Sequence, residues 1–463
     1  MRFKFLISFV TIHILILVSL NGFAQQKPNV LFIMTDELSA ETMSINLGTK
    51  FINTPNIDYL ASHGVRFTNA YCANPLCVPS RSSIFTGRYP HELGIQNNDD
   101  TLIDPVIFPS MGTLFKNAGY ETGYIGKWHL PYDRNKDETH GFSYMSNKKG
   151  NGTDSLLPNY AKYFFDLKRE KPFLLVMSFM NPHNICQWAR GDNLPDGDIG
   201  NPPSQDQLPP LRANALPSKN ETEFMAMMRK SIQANPAFPV GNFTDQKWRE
   251  YIWSYYRLVE KVDAEIGKVL NIMRQKGLDK NTLIVFTSDH GDLQGAHRWN
   301  QKTVFYEEAS KVPFIMSYNN GKQLKSEVFV QSGIDVIPTI CDFAGIPIPA
   351  TSKGKSLASA FTQINQVPNR DYIVVSDKLS QGAPVNGQQL SPEGRMLRNK
   401  QFKYWIYNYG KESEVLYDIV NDPGEMVNLI NDPNYTTALK NCRAQLFSWA
   451  KEYKDPFIKY LVN

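Results

Sequence analysis

The stretch Asn29-Val30-Leu31-Phe32-Ile33-Met34-Thr35-Asp36-Glu37 decides how the rest of the chain reads. From Asn29 to Met34 it is a nearly continuous apolar run, too short for a typical helix and lacking the alternation of a half-exposed strand. Such a run suits a central parallel strand buried on both faces. Glu121 to Ile125 has a similar character and follows the helical pattern Met111–Ala118 and Gly119. Phe173 to Phe179 begins after Pro172, and Thr282 to Thr287 follows a long helical pattern from Asp245 to Lys276 that stops at Gly277. Strands alternating with helices predict an α/β fold with a large, mostly parallel central sheet flanked by helices.

Each of these strands delivers polar residues at its carboxyl end. The first leads to Thr35-Asp36-Glu37, the second to Gly126-Lys127-Trp128-His129, the third to Asn181-Pro182-His183 and the fourth to Ser288-Asp289-His290-Gly291-Asp292. In open α/β sheets, ligands bind outside the carboxyl ends of the strands. Four segments sending charge or imidazole to one edge therefore describe an active site.

Outward from this core, residues 184–239 are rich in Pro, Gly, Asn and Asp and read as a surface excursion beside the third strand. The pattern loosens again around residues 350–370. Asp371–Ser376, Phe402–Tyr407 and Val415–Tyr417 then read as short strands, and Thr436 to Lys451 as a closing helix. The expected organisation is a catalytic domain over residues 25–360 and a smaller C-terminal α+β domain, a short antiparallel sheet plus helix, over 361–463. Residues 1–24 start with Arg2 and Lys4, continue through the apolar run Phe5–Leu20 and end on small Ala24, the pattern of a secretory signal peptide.

The 463 residues carry 49 Lys+Arg against 45 Asp+Glu, and removal of residues 1–24 takes away two cations and leaves +2. With no basic stripe, nucleic-acid binding is excluded as a working class. No later stretch is long enough for stable membrane insertion, so an exported protein, periplasmic or secreted, is expected. The five cysteines are too few for a disulfide scaffold, although Cys72 and Cys77 are near enough in sequence for a small-loop disulfide as an alternative to a reactive Cys77.

The densest signal is Cys77-Val78-Pro79-Ser80-Arg81-Ser82-Ser83-Ile84-Phe85-Thr86-Gly87-Arg88. Pro79 stiffens the turn, and Ser80 and Ser82 are candidate caps for a helix starting near Arg81. Cys77, just before that helix, would feel a field favouring negative charge, whether thiolate or bound oxyanion. A plain cysteine nucleophile paired with His is one reading of it.

Cys77-x-Pro79-Ser80-Arg81 followed by Thr86-Gly87-Arg88 resembles the signature of the type I sulfatases, in the alkaline phosphatase-like superfamily. The other polar segments occur in that family's order, and the resemblance extends to Leu416-Tyr417-Asp418, Asp422-Pro423-Gly424-Glu425 and Asn428-Leu429. It implies that Cys77 is oxidised to Cα-formylglycine (3-oxoalanine) by a formylglycine-generating or sulfatase-maturating enzyme, and that its hydrated aldehyde is the nucleophile. It implies a bound Ca2+ held by Asp36, Asp289, His290 and the side chain of residue 77. Glu37 stands where a second Asp is common; one methylene longer, it either ligates with altered reach or points away. By the same resemblance, Arg81 holds the formylglycine and neutralises its oxyanion. Lys127 pairs with a sulfate oxygen and His129 is the base that regenerates the aldehyde. His183 and Lys302 grip the sulfate and assist the departing alcohol.

Gln187, Trp188 and Arg190 near His183, and His297, Arg298 and Trp299 near Lys302, are candidate substrate contacts, because aromatic faces and Arg forks suit sugars and their anions. The alternative for the Trp residues is loop packing. The implied function is hydrolysis of sulfate esters on a carbohydrate partner, a sulfated glycan or glycosaminoglycan-like saccharide. Two alternatives stand beside it: a phosphonate monoester hydrolase or phosphodiesterase sharing the same loop, and a non-catalytic sulfated-glycan-binding relative.

Overall fold

The computed structural model describes residues 27–99, 101–146, 153–410 and 412–461. The expected signal peptide lies outside the described residues. Eight strands form the large sheet: β1 (Asn29–Asp36), β2 (Gly64–Tyr71), β3 (Glu121–Gly126), β4 (Tyr144–Met145), β5 (Phe173–Pro182), β6 (Thr282–Ser288), β7 (Phe314–Tyr318) and β8 (Leu324–Gln331). Their order is β4-β3-β5-β1-β6-β7-β2-β8, and β7 alone runs against its neighbours. The sheet is thus mostly parallel, as the apolar runs predict, with β1 at its centre between β5 and β6.

Burial explains the apolar runs. Phe32 and Met34 face one core, while Leu31 and Ile33 face another that contains the long helix Asp245–Gln275. Because β3, β5, β1 and β6 are adjacent and parallel, their carboxyl ends emerge side by side. At the end of β3, Gly126 has φ +106°, and a Cβ there would come 2.0 Å from the Ser178 carbonyl oxygen. Glycine lets β3 press against β5 before the chain turns into Lys127.

The segment after β2 leads into the helix Cys77–Thr86, which begins four residues earlier than the sequence suggests. Extended Leu76 is its N-cap, and neither proposed serine caps it. Ser80 donates instead to the Asp289 carbonyl (2.5 Å) and Ser82 to the Val78 carbonyl (2.6 Å). Cys72 and Cys77 are both free, buried thiols. The excursion of residues 184–239 is also more ordered than its composition suggests. It contains the helices Ile185–Arg190 and Glu223–Gln233, the latter burying Phe224, Met225, Met228 and Ile232 on one face.

The second sheet is an antiparallel meander of β9 (Tyr372–Lys378), β10 (Glu393–Asn399), β11 (Phe402–Tyr407) and β12 (Glu414–Asp418). Its period-2 pattern serves two faces. Leu397, Tyr404 and Leu416 pack with Leu446 and Trp449 of the closing helix Thr436–Glu452. Met396, Trp405, Tyr407 and Tyr417 join the core of the large sheet, with Trp405 5.4 Å from Tyr306 and Tyr407 5.2 Å from Phe305 between ring centroids.

A chain ending at residue 360 would uncover Phe305 and Tyr306 and is expected to aggregate on expression. In the full chain, Trp405→Ala should cost about 3–5 kcal/mol, read as a lowered denaturation midpoint; an unchanged midpoint would show that the shared core is not needed.

Candidate active site

The parallel strand ends deliver Asp36, Lys127, His183 and Asp289 to one edge, and the helix Cys77–Thr86 closes over them with Cys77 in its first turn. Arg81 lies one helical turn further on, with its side chain fully buried. Its Nη2 donates to Asp36 Oδ2 and its Nε to Asp289 Oδ2, both at 2.7 Å. Nη1 donates to the Lys127 carbonyl (3.2 Å) and to Ser178 Oγ (2.9 Å). The guanidinium is therefore committed to the two carboxylates that the sequence marks as metal ligands. Burial alone would lower its pKa, but Asp289 and Asp36 hold it above the usual value.

Asp36 Oδ2 also receives Lys127 Nζ at 2.7 Å. Asp289 Oδ1 accepts the backbone N–H groups of His290 (2.9 Å) and Glu37 (3.1 Å). Burial and the Cys77 charge would raise Asp36, yet Lys127, Arg81 and His183 hold it well below the ordinary carboxylate range. Asp289 is pushed up, by burial first and then by Asp36. The His290 ring lies with Nδ1 3.0 Å from the Gly291 carbonyl, an acceptor only, so the proton belongs on Nδ1. The Nε2 lone pair is left facing Cys77 Sγ at 3.3 Å.

Ligand atoms of Asp36, Cys77, Asp289 and His290 all lie within 4.8 Å of one another, and all four residues are buried. Two carboxylates, an imidazole lone pair oriented from behind, and one exchangeable position at residue 77 fit a divalent cation. Glu37 is in a different place. Its Oε2 receives Lys302 Nζ at 3.0 Å and lies 3.8 Å from His183 Nε2, so the longer side chain reaches toward the other half of the site.

Cys77 Sγ accepts from Lys302 Nζ at 3.4 Å, and His129 and His183 lie beside this side chain. Burial would raise it, but Lys302 and then Lys127 hold it well below the usual thiol value. Burial would likewise lower Lys302, while Cys77, Glu37 and Asp36 hold it well above its usual value and keep it charged. His183, a quarter of its side chain open to solvent, is lowered to about 4 by burial, Lys127 and Lys302. At neutral pH it is an uncharged imidazole.

The structure brings together Asp36, Glu37, Cys77, Arg81, Lys127, His129, His183, Asp289, His290 and Lys302. The six expected substrate contacts fare differently. Trp299 is fully buried in the core near Tyr306, and His297 is fully buried and stacked on the same ring at 3.8 Å. Both rings pack in the core. Arg298 pairs with Asp245 and Arg190 with Asp192, each at 2.7 Å. Trp188 packs edge-on to Tyr251 under Lys247. Gln187 keeps a buried Oε1 without a hydrogen-bond partner beside the His183 segment.

Sequence reasoning missed Ser178 and gave no role to Asp292, which it placed only within the fourth polar segment. Ser178, a single hydroxyl inside the apolar run of β5, anchors Arg81. Asp292 accepts from Tyr251 (3.0 Å) and from the backbone N–H groups of Gln294 (2.7 Å) and Gln301 (3.0 Å), which fixes the loop that carries Lys302. Its signal was a second acid three residues after Asp289.

Residues 28–346 match the family model described as Sulfatase, and residues 295–452 match that of the N-sulphoglucosamine sulphohydrolase C-terminal region. A Delta 4,5-hexuronate-2-O-sulfatase of Bacteroides thetaiotaomicron is 31% identical over 458 residues, spanning 94% of this chain and 91% of that protein. The solved structure of a 2-O GAG sulfatase matches with a TM-score of 0.80 at 29% identity, covering 94% of each chain. The phosphonate monoester hydrolase of Agrobacterium radiobacter shares the fold, with a TM-score of 0.75 at 19% identity over 92% of this chain and 96% of that one. The family match runs through every strand end that contributes to the buried site, and this protein accordingly belongs to the sulfatase family of the alkaline phosphatase-like superfamily and is a sulfuric-ester hydrolase.

Proposed function

We propose that this protein is an exported carbohydrate sulfatase that works with a formylglycine made from Cys77 and a calcium ion beside it. The observation that carries the reading is the convergence of Asp36, Cys77, Asp289 and His290 within 4.8 Å, bordered by Lys127, Lys302 and His183. Asp36, Asp289 and His290 Nε2 would hold the ion together with an oxygen on residue 77, and Glu37 would stay with Lys302. The ion supplies concentrated positive charge against the sulfate oxygens, and the hydrated aldehyde supplies a hydroxyl nucleophile whose carbon can later release sulfate.

The charges support a divalent ion on independent grounds. Arg81, Lys127 and Lys302 are all engaged by Asp36, Asp289 and Glu37. An anionic ester entering that balanced set would meet little net attraction. A divalent cation on the carboxylates turns the same residues into a site with positive excess. Lys127 and Lys302 then hold the sulfate oxygens, and they do so inside a buried, preorganised field. His129, beside residue 77, would take the proton there. His183 contributes a hydrogen bond to the ester oxygen and Lys302 the standing charge.

A saccharide substrate is supported by the names of the relatives, one acting on a sulfated hexuronate and one on a glycosaminoglycan. Export is supported by the composition of residues 1–24. Among the described residues, no helix is long and apolar enough to cross a membrane. Because a thiol must lose sulfur to become an aldehyde, a formylglycine-generating or sulfatase-maturating enzyme is the implied partner.

Mass spectrometry of the peptide spanning residue 77 is expected to find an aldehyde in active protein, and full activity in protein that holds a thiol there would refute the conversion. Cys77→Ala should remove turnover of aryl and saccharide sulfates while leaving the circular dichroism spectrum unchanged. Chelation should abolish activity and lower the melting temperature, both restored by calcium, because an ion bound to the native state alone stabilises it. Lys302→Ala is expected to lower kcat by about 100- to 1,000-fold, the scale for losing one preorganised donor; kinetics within a few-fold of wild type would remove Lys302 from the sulfate site.

A further inference from the structure

The His183 ring has little of its own to hold it. Its Nδ1 is buried without a hydrogen-bond partner, and its Nε2 stands 3.8 Å from Glu37 Oε2 and 4.0 Å from Asp36 Oδ1, beyond hydrogen-bond reach. Where the imidazole points is therefore decided by the backbone that delivers it, the end of β5. The regular pairing of that strand breaks just before this point. β3 pairs with β5 only as far as Gly126 opposite Ser178, and the register with β1 shifts between Met34 and Asp36.

A carboxylate from another segment takes over there. Asp154 Oδ1 accepts the Met180 N–H at 2.7 Å, and its Oδ2 accepts the Asn181 N–H at 2.8 Å and Asn181 Nδ2 at 2.9 Å. The His183 N–H donates to the Met180 carbonyl at 3.1 Å. That carbonyl belongs to the same peptide unit whose N–H Asp154 holds, so the turn that presents His183 closes on a group pinned by Asp154.

Asp154 is itself braced. It is buried in the short 3-10 turn Asp154–Leu156. Asn181 Nδ2 also donates to Asp196 Oδ2 at 3.1 Å, and Asp196 Oδ1 accepts the Ser155 N–H at 3.1 Å. Lys261, on the helix Asp245–Gln275, donates to the carbonyls of Asp196, Gly197 and Asp198 at 2.8, 2.8 and 3.1 Å. The acid is costly to keep, since burial raises it to about 7 although three donors face it. Filling space does not call for a charge. Holding two successive N–H groups in one geometry does, because charge-assisted hydrogen bonds are the short and strong ones.

We propose that Asp154 is a positioning residue for sulfate-ester hydrolysis, fixing the end of β5 so that His183 meets the departing oxygen. The inference rests on His183 as the hydrogen-bond donor to that oxygen. The test uses the full chain, each variant with the aldehyde at residue 77 verified by mass spectrometry. The readout is kcat/KM across phenyl sulfates from para-nitrophenyl to para-methoxyphenyl, whose departing phenol grows more basic and leans harder on a donor. His183→Ala should widen the spread between the two ends by about tenfold over wild type. Asp154→Asn, which sets an amide NH2 against backbone N–H groups, should widen it by about threefold or more. Combined with His183→Ala it should widen the spread no further, because both act through one ring. Asp196→Asn, at a half-buried acid, should show the same change in smaller measure. A merely structural Asp154 would lower every ester by one factor and leave the spread at its wild-type value. That result in Asp154→Asn, or in Asp196→Asn should the first variant fail to fold, would overturn the proposal. A wild-type spread in His183→Ala would instead overturn the role of His183 beneath it.

Discussion

The guanidinium of Arg81, buried between Asp36 and Asp289, is the interaction on which the rest of this molecule is organised. It ties the helix Cys77–Thr86 to the ends of β1 and β6, and through Ser178 and the Lys127 carbonyl to β5 and the end of β3. Taking three charges out of water is expensive, and it is tolerable here because the bonds are short and both carboxylates have further donors. The arrangement is poor evidence for stability, since a well-packed apolar substitute could do as well in that respect. Its value lies in position. One residue fixes two carboxylates and the start of the helix that carries residue 77, before any ligand arrives.

That preorganisation is paralleled in the backbone. Glu37, His129, Gln301 and Thr303 all have positive φ, at 73°, 47°, 63° and 65°. Such conformations disfavour side chains other than glycine and persist where surrounding structure imposes them. All four residues flank or belong to the reaction centre. Glu37 is held there through its backbone groups, its N–H on Asp289 and its carbonyl on the Tyr255 hydroxyl. Glu37 and His129 take this conformation just after a strand end, and Gln301 and Thr303 take it on either side of Lys302 in the loop that carries it.

The strand ends were legible in the sequence because strands buried on both faces leave unbroken apolar runs, and a charged residue straight after such a run has few places to go. What escaped includes the short apolar strand β7 and the parts of the fold whose pattern is not apolar. β10 reads as a charged stretch, yet Arg395 is buried against Asp455 at 2.6 Å and Arg398 lies over the Phe329 ring. β2 and β8 alternate and lie toward the far edge of the sheet, where one side can be polar. Within the site, ligand types and order could be read from motifs. Glu37 was indeterminate because one methylene decides between ion and Lys302, and a sequence carries no distance. The burial of Trp299 and His297 was unreadable for a related reason: proximity to Lys302 in sequence does not say which side of a tight loop faces the core.

The C-terminal sheet contributes to the chemistry through that same loop. Lys302 is followed within four residues by Phe305 and Tyr306, and both rings are packed against Trp405. Lys403, from the same face of β11, is buried and pairs with Glu307 and Glu425 at 2.9 Å each. Glu425 Oε2 in turn accepts the Glu307 N–H at 2.8 Å. The loop bearing Lys302 is therefore clamped at one end by Asp292 and at the other by the small sheet. A lysine proposed to hold a sulfate oxygen gains nothing from its charge if its backbone wanders, since a misplacement of about 1 Å can cost a hundredfold in rate. On this argument the second sheet is part of the catalytic scaffold, and its Asp-Pro-Gly-Glu turn serves the site by bracing a loop it never enters.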